Sequence, residues 1–254
     1  MILAVDIGNT NIVIGGFVGE EIKFVSRIAT NLKATEDEYA GKIRSVLNLH
    51  NVIKSEVEGA IISSVVPALN TIMRKAIKFI YGVDSVMVGP GIKTGIKIQC
   101  DNPASVGADL ICGCVAAHYL YGSPSLIIDM GTATKMMVMD ESGAFIGAAI
   151  IPGVNIGLNA LASGTAQLPH IGLEAPKYVA GKNTVDCMLS GVVFGNASMI
   201  DGMIDRFNEE MGQELNVYAT GGLSQTVIPH CKHKINIDEH MVLKGLYILY
   251  KKNS

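Results

Sequence analysis

The chain predicts a mixed α/β fold built as two related domains, and three observations carry that expectation. A short apolar run stopped by an aspartate and turning on glycine and threonine occurs twice: Met1 to Val5 leads into Asp6-Ile7-Gly8-Asn9-Thr10, and Leu126 to Ile128 leads into Asp129-Met130-Gly131-Thr132. Each copy resumes as another apolar run, Ile12 to Phe17 and Met136 to Met139, so each reads as a hairpin. Helix-period and strand-period segments alternate after the first copy, the pattern of sheets covered by helices. With 254 residues, 49% of them hydrophobic and 17% charged, the chain can fill two modest cores.

Taken in order, residues 1 to 29 alternate strand and turn, punctuated by Gly15-Gly16 and Gly19-Glu20, and give up to three antiparallel strands. Thr35 to Asn48 reads as a helix: Thr35 caps it, Glu38 completes a capping box, and Tyr39, Ile43, Val46 and Leu47 form the apolar stripe. Gly59 to Val65 is a buried strand stopped by Pro67, Ala68 to Ile80 a second helix, and Ser85 to Val88 a further strand. Loops at Gly89 to Gly95 and at Asp101-Asn102-Pro103 precede an apolar helix over Val106 to Tyr121, with Asp109 in its first turn, where the helix dipole favours a carboxylate. The domains are expected at 1–122 and 123–254.

In the second domain, strands from Leu126 to Met139 and from Ala144 to Ile151 are closed by Pro152-Gly153 and followed by a helix over Ile156 to Ala162. Gly164 to Lys182 has the turn formers of a long loop. Thr184 to Met211 is helical and methionine-rich, a core or subunit-interface helix rather than a cofactor box. Leu215 to Ala219 is a strand ending in Thr220-Gly221-Gly222, and Val242 to Tyr250 is a closing helix.

Composition excludes several roles. A formal charge of −3 with scattered basic residues leaves no electrostatic footprint for nucleic acid. No uninterrupted apolar run reaches the roughly 18 residues of a membrane span, so a soluble, cytoplasmic protein without membrane contact is expected. The apolar start carries Asp6 and lacks the basic residues of a signal peptide. The five cysteines form no C-x-x-C pair and are odd in number, against a disulfide framework or a zinc ribbon.

The two aspartate-glycine turns point to phosphate. Successive backbone N–H groups form a concavity that binds anions, glycine allows close approach, and an adjacent carboxylate can hold Mg²⁺ directly or through water. Two such turns suggest a nucleotide clamped between the domains. Each piece also has a plain reading: Asp6 and Asp129 as turn caps, Asp109 as a helix-start acid, Gly221-Gly222 as an ordinary turn, Thr184 as a helix N-cap.

Nine motifs in order narrow the choice: DIGNTN (Asp6 to Asn11), SSVVP (Ser63 to Pro67), GPGIKTG (Gly89 to Gly95), DNPxxVGAD (Asp101 to Asp109), DMGTAT (Asp129 to Thr134), GAAIIPG (Gly147 to Gly153), TAQLP (Thr165 to Pro169), GKNT (Gly181 to Thr184) and TGGL (Thr220 to Leu223). In them the chain resembles the type III pantothenate kinases, of the acetate kinase, sugar kinase, Hsp70 and actin superfamily. The resemblance implies two ribonuclease-H-like (actin-like ATPase) domains of mixed sheets flanked by helices, with the active-site cleft between them. It also implies ATP-dependent phosphorylation of pantothenate to 4'-phosphopantothenate, the first step of coenzyme A biosynthesis.

By the same resemblance Asp109 is the catalytic base, and Asp6, Gly8, Asn9, Thr10, Asn11, Gly131, Thr132, Thr134, Gly221 and Gly222 bind ATP and its phosphates. Asp6 positions Mg²⁺, and Asp129 is associated with a monovalent cation, K⁺ or NH₄⁺. Cys100, Gly107, Ala108, Asp109, Leu110 and Thr184 surround pantothenate, with Thr184 reaching it from a neighbouring subunit of a homodimer. Four positions depart from the family pattern: Leu110 stands where arginine is usual, Cys100 where tyrosine is usual, Lys135 where a second threonine is usual, and Lys244 where an acid is usual. These departures leave a second reading open, a nucleotide-binding paralogue with a degenerate acceptor site that partners or regulates another subunit, so a heteromer stands beside the homodimer.

Overall fold

The structure, a computed structural model, describes residues 1–254. The chain divides into two compact units, residues 1–96, 101–116 and 241–254 forming the first and residues 97–100 and 117–240 the second.

In the first unit β1 (Ile2–Ile7), β2 (Asn11–Val18) and β3 (Glu21–Ala29) form an antiparallel meander. Strands β4 (Gly59–Ser64) and β5 (Ser85–Met87) add in parallel on the other side of β1, giving the order β3-β2-β1-β4-β5. Helix α1 (Glu36–Leu49) starts as its sequence demands, with Thr35 as N-cap and Glu38 closing the capping box; α2 (Pro67–Tyr81) has proline in its first turn and Gly82 in the left-handed conformation after its end.

Strand alternation sorts the side chains of this sheet. Leu3, Val5, Ile7, Ile12, Ile14, Ala60 and Ile62 join a core with Tyr39 and Ile43 of α1 and Leu69, Met73 and Ile77 of α2. The intervening residues Ile2, Ala4, Asp6, Ile61 and Ser63 therefore point to the opposite face. That face carries the start of α3 (Ala108–Tyr121) and all of α7 (Met241–Asn253). Tyr247 of α7 stacks on Phe17 with ring centroids 4.7 Å apart, and a side chain at Gly59 would strike Tyr250. At Gly245 the backbone of α7 comes so close to the Cys112 carbonyl of α3 that a Cβ would overlap it.

The second unit repeats the plan. Strands β6 (Ser125–Met130), β7 (Ala133–Met139) and β8 (Phe145–Pro152) form the meander, and β9 (Asn216–Thr220) and β10 (Asn236–Ile237) add in parallel beside β6. Read from the meander edge, β8-β7-β6-β9-β10 matches β3-β2-β1-β4-β5 strand for strand. Leu126, Ile128, Met130, Met136, Val138 and Val217 face the helices α4 (Val154–Gly164), α5 (Thr184–Met211) and α6 (Ser224–Val227).

Helix α5 spans 28 residues and contains an 18-residue window of mean hydropathy 1.3, enough by length and composition to cross a bilayer. Its buried residues Leu189, Val192, Val193, Ala197, Ile200 and Ile204 recur at helical spacing, the pattern of one face spent on a core.

The expected division at residue 122 differs from the structure at its ends. Residues 241–254, placed by the sequence in the second domain, belong to the first unit, and α3 ends in the second unit. The physical reason is the apolar underside of the first sheet, which α7 covers through Leu243 against Gly15, Tyr247 and Tyr250.

Candidate active site

In the first unit, Asp6 is the penultimate residue of β1, opposite Val13 on β2 and beside Ser63 on β4. Parallel neighbours in register share a face, so Asp6 and Ser63 both point toward α3. The turn that follows, Gly8-Asn9-Thr10, is held by a hydrogen bond from the Gly8 N–H to the Asn11 carbonyl at 3.0 Å, and the Thr30 hydroxyl donates to the Gly8 carbonyl at 2.7 Å. Asn9, Thr10 and Asn11 are exposed, as residues that meet a soluble ligand must be.

Asp109 sits in the first turn of α3 and is only 9% exposed, with Oδ1 accepting the Leu110 N–H at 2.9 Å. One turn further along the helix lies Cys112, fully enclosed. Burial first, then the negative potentials of Asp6 and Asp109, push the Cys112 thiol well above its ordinary range. Two acids far apart in sequence therefore act on one buried atom. The Ser63 hydroxyl opposes that rise from the same neighbourhood, although its Oγ makes no hydrogen bond of ordinary geometry. A thiol so protonated and enclosed is inert as a nucleophile.

The second unit sets the same device on β6. Asp129 is again penultimate, opposite Lys135 on β7 and beside Thr220 on β9. The turn is tighter, two residues, with the Gly131 N–H donating to the Ala133 carbonyl at 3.1 Å. Two further loops close on it. Gly153 packs against the Thr132 carbonyl, and Gly221 packs against the backbone of Met130, where a Cβ would sit 2.6 Å from its carbonyl oxygen. Gly221 has φ +92°, a conformation that only glycine adopts without strain. Gly222 beside it is exposed, so bare backbone is presented next to the phosphate turn.

Asp129 carries its own counter-charge. Lys135 Nζ lies 2.6 Å from its Oδ2, with the two side chains 15% and 13% exposed.

The sequence-predicted residues fall into place unevenly. Asp6, Gly8, Asn9, Thr10 and Asn11 gather at one turn, with Gly107, Ala108, Asp109 and Leu110 at the start of α3 in the same unit. Gly131, Thr132, Asp129, Gly221 and Gly222 gather in the second unit. Cys100 and Thr184 also belong to that unit, Thr184 exposed as the first residue of α5 behind the true N-cap, Asn183, whose side chain accepts the Asp186 N–H at 2.9 Å.

Thr134 pairs with Met130, and the pleat aims it into the core face; it is fully buried and its hydroxyl has no hydrogen-bond partner.

Sequence reasoning missed Ser63, Cys112 and Thr220 as neighbours of the acids. Register was the available signal for Ser63 and Thr220, since each ends a buried strand at the level of an aspartate. A surface depression of about 830 Å³, lined by Asp37, Arg44, Lys54 and Phe79, touches none of the residues above.

The donor chemistry suits one expected ion and not the other. Asp6 and Asp109 offer hard carboxylate oxygens, and no group of three His, Cys, Asp or Glu side chains forms a cage. Mg²⁺ matches that sparse set, because it keeps several waters and is held by one or two carboxylates together with phosphate oxygens. A separate monovalent ion at Asp129 does not fit, because the carboxylate already holds the Lys135 ammonium.

Residues 2–206 match the family model described as type III pantothenate kinase. The chain is 39% identical over 254 residues to the type III pantothenate kinase of Moorella thermoacetica, covering 100% of both chains. It is 40% identical over 253 residues to that of Halalkalibacterium halodurans, again covering 100% of both. Among solved structures, the activator of 2-hydroxyisocaproyl-CoA dehydratase from Clostridium difficile, with bound ADPNP, superposes with a TM-score of 0.60 at 11% identity, covering 99% of this chain and 95% of that one. That likeness speaks for the fold alone, the actin-like ATPase architecture of paired mixed sheets. By the full-length identity and the family model together, the chain belongs to the type III pantothenate kinase family.

Proposed function

We propose that this chain transfers the γ-phosphoryl group of ATP to the primary hydroxyl of pantothenate, giving 4'-phosphopantothenate for coenzyme A synthesis. The observation that carries this reading is the end-to-end match to type III pantothenate kinases, in a chain whose Asp6 and Asp109 lie in one unit and both raise the buried Cys112 thiol. The full-length match favours catalysis over the degenerate nucleotide-binding paralogue.

Phosphoryl transfer needs alignment and charge stabilisation more than covalent chemistry. Asp109 accepts the proton of the attacking hydroxyl, its carboxylate steadied by the Leu110 N–H. The turns of Gly8 to Asn11 and of Gly131-Thr132 hold phosphate oxygens through Asn9, Thr10 and Thr132, the Gly8 and Gly131 N–H groups closing the turns themselves, and Gly221-Gly222 gives the adenosine a flat stretch of backbone. Asp6 would hold Mg²⁺ through water. When bound, that ion neutralises charge on the phosphates.

On the acceptor side, Cys100, Gly107, Ala108 and Leu110 line the pantothenate position, with Thr184 supplied by the partner of a homodimer. Exposed apolar side chains next to that helix start in the chain support a subunit contact: Val179 is 72% exposed, Tyr178 58% and Val185 37%. A cytoplasmic location accords with reduced cysteines and coenzyme A chemistry.

The test is transfer from labelled ATP to pantothenate by the purified chain alone, with its mass in solution measured. Turnover that falls about 10²- to 10⁴-fold in Asp109→Asn, with the melting temperature held, is expected. Binding of ATP without any transfer to pantothenate overturns the reading. Leucine at 110 forgoes a charge-assisted bond, so Leu110→Arg is expected to lower the KM for pantothenate about ten- to a hundredfold.

A further inference from the structure

The Asp129–Lys135 pair is more than a surface ion pair. The two residues are direct cross-strand partners at the mouth of a two-residue turn, so register brings the lysine opposite the acid and the Asp129 carboxylate holds its ammonium. Both side chains are more than four-fifths enclosed, and their separation of 2.6 Å is that of a charge-assisted hydrogen bond. The neighbours that share their face of the sheet, Ile127 and Met137, are fully buried, which limits water around the pair and screens it little.

A lysine ammonium and a free ammonium ion carry the same charge on the same kind of donor, and differ in the tether. A tethered cation stays at high effective concentration whatever the surrounding salt. We propose that Lys135 is a built-in monovalent cation: held by Asp129, its ammonium takes the place of a dissociable K⁺ or NH₄⁺ and sets one fixed positive charge beside the second phosphate turn. The inference rests on the kinase reading for its role in turnover. The occupancy of the Asp129 position can be measured without it.

Two readouts separate the inference from that reading. Thallium-205 NMR, with Tl⁺ as the K⁺ probe and ADP and Mg²⁺ present, should show no bound Tl⁺ in the wild-type chain. Lys135→Thr, which shortens the side chain and opens space, should gain a bound signal; Lys135→Met, which fills the space with a neutral stem, should not. In the kinase assay the wild type should turn over equally in Na⁺, K⁺ or NH₄⁺ buffers. Lys135→Thr should lose about ten- to a hundredfold in Na⁺, the size of one charge-assisted bond, and recover with NH₄⁺ or K⁺ along a saturable curve. Lys135→Met should lose as much and stay low. A purely structural lysine would give two unrescued variants with lowered melting temperatures.

Bound Tl⁺ in the wild type, or severalfold stimulation of it by K⁺ over Na⁺, overturns the proposal. So does the failure of Lys135→Thr to bind Tl⁺. A chain that phosphorylates nothing yet shows the predicted thallium pattern sinks the kinase reading while the tethered cation stands.

Discussion

The two sheets place an aspartate at the same station and surround it differently. Asp6 has Val13 and Ser63 as strand neighbours, while Asp129 has Lys135 and Thr220. One duplicated scaffold thus presents a carboxylate in the setting of a second acid, Asp109, and another already neutralised by a cation of its own. The shared plan fixes the backbone position of a charge, and the single residue across the ladder decides whether an internal cation meets it.

The comparison can be broken most severely by Asp129→Asn. Removing one partner of an enclosed ion pair leaves the other charge uncompensated, and the expected loss is about 3–5 kcal/mol of unfolding free energy, read from urea denaturation. A loss under 1 kcal/mol would mean that the pair is effectively solvated. Next in size is a transplant. Val13→Lys copies the second sheet's arrangement into the first, setting an ammonium opposite Asp6, and is expected to raise the Mg²⁺ concentration needed for half-maximal turnover at least tenfold through charge competition. Unchanged Mg²⁺ dependence would show that the facing residue does not set the role of the acid.

A smaller effect is expected from Gly221→Ala, which forces a left-handed φ of +92° on alanine and drives a Cβ toward the Met130 carbonyl. We expect about 1–3 kcal/mol of destabilisation and a raised KM for ATP, read from melting curves and initial rates.

The mildest test uses pH. Burial raises the thiols of Cys112 and Cys114 on α3 in the first unit, and pushes that of Cys231 in the second up to about 12. These thiols stay protonated when folded, while the unfolded chain releases its protons near pH 9. The stability they contribute is therefore full below about pH 9 and declines as pH rises from there through the folded-state values. The urea midpoint should fall between pH 8 and pH 10.5, and replacing Cys112 and Cys114 together by alanine should flatten that slope.

Much of this was legible in the sequence because it is local. The capping box at Thr35 and Glu38, the glycine turns after Asp6 and Asp129 and the helix at Thr184 to Met211 depend on residues within a few positions of one another, and the structure reproduces them. What escaped depends on distant neighbours. The approach of Asp6 and Asp109 to Cys112 requires β1 and α3 to share one face of a sheet, and no pattern in Met241 to Tyr250 says which sheet that helix covers. The Asp129–Lys135 pair lies between these cases. A two-residue turn fixes its register, so the pairing could have been counted from the sequence, whereas the enclosure that gives it force could not. Thr134 shows the converse: motif position suggested a ligand, and strand alternation turned its side chain inward.

Helix α7 has a consequence for synthesis on the ribosome. It covers the underside of a sheet whose first strand is translated at the outset, and Gly245 locks it against the backbone of α3 beside the Asp109 turn. The nascent first unit must wait, with that surface bare, until the whole second unit has left the exit tunnel. The second unit has every one of its strands in hand before α7 is made, and so is free to mature earlier than the half that precedes it.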